Sequence, residues 1–189
     1  MNSFRRAAIG ALGALALLCG CTTTPVHSDL LVPNQEPMDR VVIVVRPSTI
    51  ENGATADPAA TGRFDQLVPL LSERLPKLFA LNGIDAQVLG GAKFRHEPDQ
   101  SAKPATLRVL TLTPMSGNFN KKNGQVLHFR ATLLDHVKNQ ALWRADIKVT
   151  GMGFGSFDQK VADELAVKLL ERLRHDKLTR IPAADIRTE

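Results

Sequence analysis

Hydrophobic residues follow different spacings along this chain, and each spacing predicts a different kind of element. The stretch "RVVIVVRP" (residues 40–47) is a continuous β-branched run, which is typical of a strand buried on both faces. In residues 124–135 and 140–151 apolar and polar positions alternate instead. This alternation predicts two strands joined by a short hairpin, each with one buried and one wet face.

Helical spacing appears twice. Residues 63–83 repeat apolar positions every three or four residues and end at "LNG", a sequence typical of a helix C-terminus. Residues 156–178 show a second apolar stripe that begins with a capping box. Two further strands are predicted at residues 84–91 and 105–115.

These elements predict an α+β fold in the order β-α-β-β-β-β-α. Two amphipathic helices and one sheet bury their apolar surfaces most economically when both helices pack on the same face. We therefore expect a two-layer sandwich with a mixed sheet of four to five strands. Trp143, Phe129 and Leu165 should lie in the shared core.

The first residues predict an export signal of the lipoprotein type. Arg5 and Arg6 precede an uncharged apolar run of about a dozen residues, which is too short for a helix that spans a bilayer. The run ends in "LCGC", which resembles a bacterial lipobox, and Leu18 and Gly20 are better placed around Cys21 than around Cys19. We interpret residues 1–20 as a signal peptide, Cys21 as the lipidated residue, 21–38 as a tether, 39–180 as one domain and 181–189 as a tail.

Lipidation determines the expected location. Two or three acyl chains such as palmitate would hold the protein firmly, because each buried methylene contributes about 0.8 kcal/mol. Thr22 after Cys21 matches the pattern that favours the outer membrane, so we expect the domain on its periplasmic face. The chain has only 2 Cys. Cys19 would be removed with the signal peptide and Cys21 would carry the lipid, so no thiol would remain for a disulfide. The net charge of +5 falls to +3 without Arg5 and Arg6, which gives no case for a nucleic-acid partner.

No motif predicts catalysis, a metal or a cofactor. The glycines of residues 149–156 are spaced GxGxG, without the strand that a dinucleotide site needs after its helix. His96 and Asp99 lie in a polar stretch with no nearby histidine, and Asp135-His136 lies at a hairpin tip. A periplasmic hydrolase or ligand-processing enzyme remains the alternative, and it would require His96, His128 or His136 to converge with a carboxylate in a cleft.

Cations on the wet face of the last two strands are the candidate partner-binding residues. Arg130, Arg144 and Lys148 share this face, with Arg108 as a further candidate, and an anionic lipid, a glycan phosphate or an acidic protein would suit them. Phe119, Lys121 and Lys122 lie at or beside a neighbouring hairpin tip and extend the candidate surface.

Several short strings resemble known small bacterial outer-membrane lipoproteins with a two-helix, one-sheet domain. The lipobox, "LNG" (81–83) and "AADIR" (183–187) resemble the lipopolysaccharide-assembly lipoproteins. The hairpin "LDHVKNQALWRA" (134–145) is similar to lipoproteins that activate penicillin-binding proteins or build the curli secretion pore. Both resemblances imply a non-catalytic binding or assembly module whose partner is an envelope protein, a glycan or lipopolysaccharide.

Overall fold

A computed structural model of the chain describes residues 26–46, 58–90, 107–120, 124–151, 159–181 and 186. Within these residues the chain forms six strands and two helices: β1 (Val26–Leu30), β2 (Arg40–Val45), α1 (Pro58–Leu81), β3 (Asp85–Gly90), β4 (Arg108–Asn120), β5 (Gly124–Asp135), β6 (Gln140–Gly151) and α2 (Gln159–His175). The predicted α+β class is confirmed, but the sheet has six strands where four to five were expected.

The sheet is mixed, with strand order β1-β6-β5-β4-β2-β3. Strand β2 runs parallel to both β3 and β4, whereas β4, β5, β6 and β1 form an antiparallel series. A register shift between Pro114 and Ser116 leaves Met115 as an extra, exposed residue of β4. Such a bulge increases the local twist of a strand pair.

One face of the sheet packs against both helices and forms the core. Helix α1 contacts β2, β3 and β4, helix α2 contacts β1 and β6, and the helices contact each other. Trp143 is fully buried and Phe129 and Leu165 are almost fully buried, which confirms their predicted place in the core. Helix α1 buries Leu67, Leu71, Leu75 and Leu78, and α2 buries Ala162, Leu165, Leu169 and Leu173.

The strand patterns predict the burial of β2 and β5 correctly. Five of the six residues of β2 are buried, as expected of a continuous apolar run between two neighbouring strands. In β5, Leu127, Phe129, Ala131 and Leu133 are buried, while His128 between them is exposed. The face opposite the helices, here called the outer face, therefore carries the polar residues of β5 and β6.

Both ends of the domain differ from the prediction. The segment 21–38, expected to be a tether, contains β1, which pairs along its whole length with β6. Met38 is buried and forms a parallel bridge to Thr179. In the expected tail, Ile181 is buried and Ile186 is partly buried against the core. The folded unit thus begins earlier and ends later than residues 39–180, because non-local pairing orders both segments.

The register defines two ends of the sheet. We call proximal the end at which the chain enters β1. There Val26 pairs with Ile147 of β6, and Ile147 pairs with Phe129 of β5. From Phe129, β5 continues about five residues beyond that level to Gly124, or roughly 17 Å. At the distal end lie the first residues of β2, β3, β4 and β6 and the last residue of β5.

Candidate functional site

The outer face of β5, β6 and β1 carries alternating charges. Its residues pair across the strands as His128 with Lys148, Arg130 with Asp146, Thr132 with Arg144, Asp29 with Arg144, and His27 with Asp146. Side chains directly opposite each other on one face have Cβ atoms about 5 Å apart, so these groups influence one another. The structure therefore brings Arg130, Arg144 and Lys148 onto one surface, with Asp29 and Asp146 between them.

The pair between Arg130 and Asp146 is the best-defined interaction on this face. Nε of Arg130 donates to Oδ1 of Asp146 at 2.8 Å, and Nη2 donates to Oδ2 at 3.3 Å. The hydrogen bond from Arg130 lowers the pKa of the Asp146 carboxyl, against the opposing effect of partial burial. The same bond raises the pKa of Arg130. Arg130 is thus neutralised locally.

The two remaining candidate cations on this face differ from Arg130. Arg144 and Lys148 are exposed, and within the described part of the chain neither forms an ion pair. Two carboxylates lie among the three cations, so the described outer face is close to neutral and not strongly basic. Any attraction for an anion comes chiefly from Arg144 and Lys148.

The remaining predicted residues do not join this surface. Arg108 alternates with the buried Leu110 and therefore lies on the helix side of β4, which corrects its assignment to the outer face. Phe119 lies in β4 opposite Gln125, toward the proximal end. Cys21, Lys121 and Lys122, and likewise His96, Asp99 and most of the glycine-containing segment, lie outside the described residues.

Arg108 belongs to a buried ion pair at the distal end. Its Nη1 lies 3.6 Å from Oδ2 of Asp135, and the two side chains are only 11% and 2% exposed. Nη1 also donates to Oε1 of Gln35 at 3.4 Å. Asp135 further accepts a hydrogen bond from the backbone N–H of Lys138 at 3.0 Å. Asp135 is therefore held between a guanidinium and a backbone N–H, whereas His136 beside it is exposed.

A cleft of about 480 Å³ opens beside this ion pair. The first residues of β2, β3 and β4 contribute to it, together with residues 36–39 and a residue that follows α2. Its charged lining consists of Glu36, Asp39, Arg40, Asp85, Arg108 and Arg180. The cleft could not be predicted from the sequence, because its residues are far apart in the chain and meet only through the sheet order.

A second cluster at the end of α2 was also missed. The carboxylate of Asp176 accepts hydrogen bonds from Nε1 of Trp143 at 2.7 Å and from Oγ of Ser28 at 2.5 Å. Nε of Arg172 donates to the same serine at 2.5 Å, and Nδ1 of His175 lies 3.0 Å from Oδ1 of Asp176. Burial raises the pKa of Asp176, but the hydrogen bonds from His175, Ser28 and Trp143 and the charge of Arg172 together bring it below its ordinary value.

This cluster joins three elements and does not resemble a nucleophile site. Ser28 bonds directly to the carboxylate, so no histidine lies between the two as a base would. In the described ranges, no group of three or more His, Cys, Asp or Glu side chains is arranged to hold a metal ion. No helix in those ranges is both long and apolar enough to cross a membrane.

Comparisons with known proteins give similarities at the level of structure alone. No protein-family model matches the chain, and no curated protein matches it. A PelC dodecamer from Paraburkholderia phytofirmans is similar, with 14% identity, a TM-score of 0.47, and coverage of 84% of this chain and 99% of that one. A PelC variant from the same organism gives 16% identity and a TM-score of 0.45 with the same coverage.

A PDZ domain protein from Parabacteroides distasonis is also similar, with 11% identity and a TM-score of 0.41. This similarity covers 79% of this chain and 35% of that one. At these identities and TM-scores, none of the similarities carries information on the function of this chain.

Proposed function

We propose that this chain is a lipid-anchored envelope lipoprotein that acts as a non-catalytic binding or assembly factor at the periplasmic face of the outer membrane. One observation carries the proposal: β1 begins at Val26, about five residues after Cys21. A fully extended chain of that length spans at most about 18 Å. The folded domain would therefore sit directly at the membrane surface and not at the end of a long tether.

The sheet register supports a defined orientation for the anchored domain. The chain enters at the level of Phe129, and β5 extends roughly 17 Å past that point to Gly124. This distance is close to the reach of the segment between Cys21 and Val26. The end of the β4–β5 pair, at Asn120 and Gly124, would then reach the depth of the lipidated cysteine, and Phe119 lies next to that end in β4.

The outer face supplies the surface for a partner. Neither helix covers it, and Arg144 and Lys148 are its cations without an ion pair in the described part of the chain. Attachment to the membrane raises the local concentration of any envelope component without requiring new contacts. An acidic protein surface, a glycan or a lipopolysaccharide phosphate would complement these two side chains.

Anchoring is tested by Cys21→Ala. We expect this variant to leave the membrane fraction, while Cys19→Ala stays attached. A Cys21→Ala protein that still sediments with membranes, together with release of Cys19→Ala, would contradict the assignment of the lipidated residue.

Partner binding is tested by charge reversal on the outer face. We expect Arg144→Glu with Lys148→Glu to lose the partners that crosslink to the wild-type chain in intact envelopes. The matched control is Lys77→Glu with Lys177→Glu, which makes the same charge change in α1 and just after α2. If both double variants retain the same crosslinked partners, the outer face is only a solvated surface.

A further inference from the structure

The distal cleft has the volume of a small-ligand site, and most of its charged lining residues are exposed to solvent. Its volume of about 480 Å³ falls within the range typical of pockets for small ligands, about 300–1,000 Å³. The rigid ends of three parallel strands form one side of it, and residues 36–39 are held by the backbone bond from Met38 N–H to Leu178 O at 2.9 Å. One side of the cleft is therefore formed by strand ends, and the rest by residues 36–39 and Arg180, which lie outside the strands.

The charged groups of the cleft are only partly neutralised by one another. Nε of Arg40 bonds Oδ2 of Asp85 at 2.9 Å, on the solvent side. Glu36, Asp39 and Arg180 also line the cleft, but their side chains form no ion pair or hydrogen bond with the described part of the chain. One cation and two carboxylates thus remain available to a ligand in the same cleft.

Arg108 adds a second source of donors. A guanidinium has five N–H groups, and the contacts with Gln35 and Asp135 both involve Nη1 and are long, at 3.4 and 3.6 Å. Because Asp135 is almost completely buried, it fixes the position of Arg108 at the cleft wall. The N–H groups of Arg108 that these contacts leave unused can bind a carboxylate in the bidentate way that guanidinium groups favour.

The balance of charges selects the ligand class. The lining has three arginines and three carboxylates, so a simple dianion or dication would meet as much repulsion as attraction. We propose that the cleft binds a small zwitterion that carries a carboxylate and an ammonium close together, as a free amino acid or a short peptide with both ends free does. The carboxylate would contact Arg108 and Arg180, and the ammonium would contact Glu36 and Asp39.

The position of the cleft fits a ligand away from the membrane. Strand β5 spans about 37 Å from Gly124 to Asp135, so an anchored domain would present the cleft toward the periplasm. The proposal deepens the proposed function and rests on it in one respect, which is that the ligand occurs in the periplasm. Binding itself is a property of the folded chain and can be measured without a membrane.

Calorimetric titration of the full chain in detergent with the dipeptide Lys-Ala tests the proposal. We expect saturable binding, weakened about tenfold or more when the carboxylate is amidated or the amino groups are acetylated, because each change removes a charge-assisted hydrogen bond. Arg180→Gln and Asp39→Asn should each weaken binding about tenfold. The matched control Arg144→Gln, on the outer face, should bind like the wild-type chain.

Three results would overturn the proposal. The first is a wild-type chain that shows no saturable binding of Lys-Ala. The second is an unchanged affinity: amidation of the dipeptide does not weaken binding, and Arg180→Gln does not weaken it either, although this variant has the melting temperature of the wild-type chain. The third is inorganic phosphate binding as tightly as the dipeptide, which would indicate a general anion site. None of these results affects membrane attachment through Cys21, and release of the chain from membranes would not affect the titration.

Discussion

Replacement of Asp176 by alanine should destabilise the domain more than its position in the chain suggests. Its side chain is only 9% exposed, although the residue follows the last residue of α2. It accepts hydrogen bonds from Nε1 of Trp143 at 2.7 Å and from Oγ of Ser28 at 2.5 Å. The carboxylate therefore ties β6 and β1 to the end of α2.

The magnitude follows from what the substitution leaves behind. Trp143 is fully buried, so its indole N–H loses its acceptor at a position that solvent does not reach in the wild-type chain. A buried donor without a partner costs about 1–3 kcal/mol, and hydrogen bonds to a charged group contribute about 1.5–3 kcal/mol. Ser28 is less affected, because Arg172 still donates to it. We expect a loss of about 2–4 kcal/mol in the free energy of unfolding.

Urea denaturation followed by far-UV circular dichroism measures this loss. The matched control is Asp85→Ala, which removes an exposed ion pair with Arg40 and should cost under about 1 kcal/mol. A double-mutant cycle with Trp143→Phe isolates the indole bond, because Phe keeps an aromatic ring and removes the donor. Asp176→Ala should cost about 1–2 kcal/mol less in the Trp143→Phe background than in the wild type. Equal costs in the two backgrounds would refute the reasoning.

Three further predictions concern the same core and the outer face. Trp143→Ala should lower the free energy of unfolding by roughly 3–5 kcal/mol, and an unchanged urea midpoint would contradict its burial. Burial raises the pKa of Asp176, but hydrogen bonds, led by that with His175, lower it below the ordinary value. The ionised carboxyl therefore stabilises the folded chain fully above the unfolded pKa of about 3.9. This stabilisation is lost as the pH falls through the folded pKa. The stability difference between wild type and Asp176→Asn should therefore shrink below about pH 4, and a constant difference down to pH 2 would contradict this. Arg130→Ala should cost under about 1 kcal/mol by urea denaturation, since its pair with Asp146 is largely exposed, and a loss above about 2 kcal/mol would show a structural role.

Elements with strong local patterns could be predicted from the sequence. These patterns are the β-branched run of β2, the alternation of β5 and β6, and the apolar stripes of both helices. Each of them gives its element an apolar surface that must pack against another element. Because β5, β6 and both helices are apolar on one side, one arrangement buries them together, with both helices on one face of the sheet. The fold class and the core position of Trp143 could therefore be predicted from the sequence.

The missed features depend on contacts between distant residues. Strand β1 has only Val26 and Leu30 as apolar residues on its core side, with Ser28 between them, so its pattern is weak. What orders it is pairing with β6 and the bond from Ser28 to Asp176, across 148 residues of sequence. The distal cleft likewise forms only when three strand ends come together. Arg108 differs, since its alternation with Leu110 contains the signal for its correct side.

The Asp176 cluster also bears on how an anchored domain would withstand force from the membrane. Strand β1 is at the edge of the sheet and pairs with β6 alone among the described strands. Any pull on Cys21 would reach the domain through Val26, the first residue of that edge strand. Ser28, two residues further on, is bonded to both Asp176 and Arg172 on the core side of β1. Force that enters at this edge of the sheet would therefore pass to α2 and Trp143 after two residues. If the chain is anchored through Cys21 as we propose, the carboxylate of Asp176 would fasten the loaded edge strand to the core.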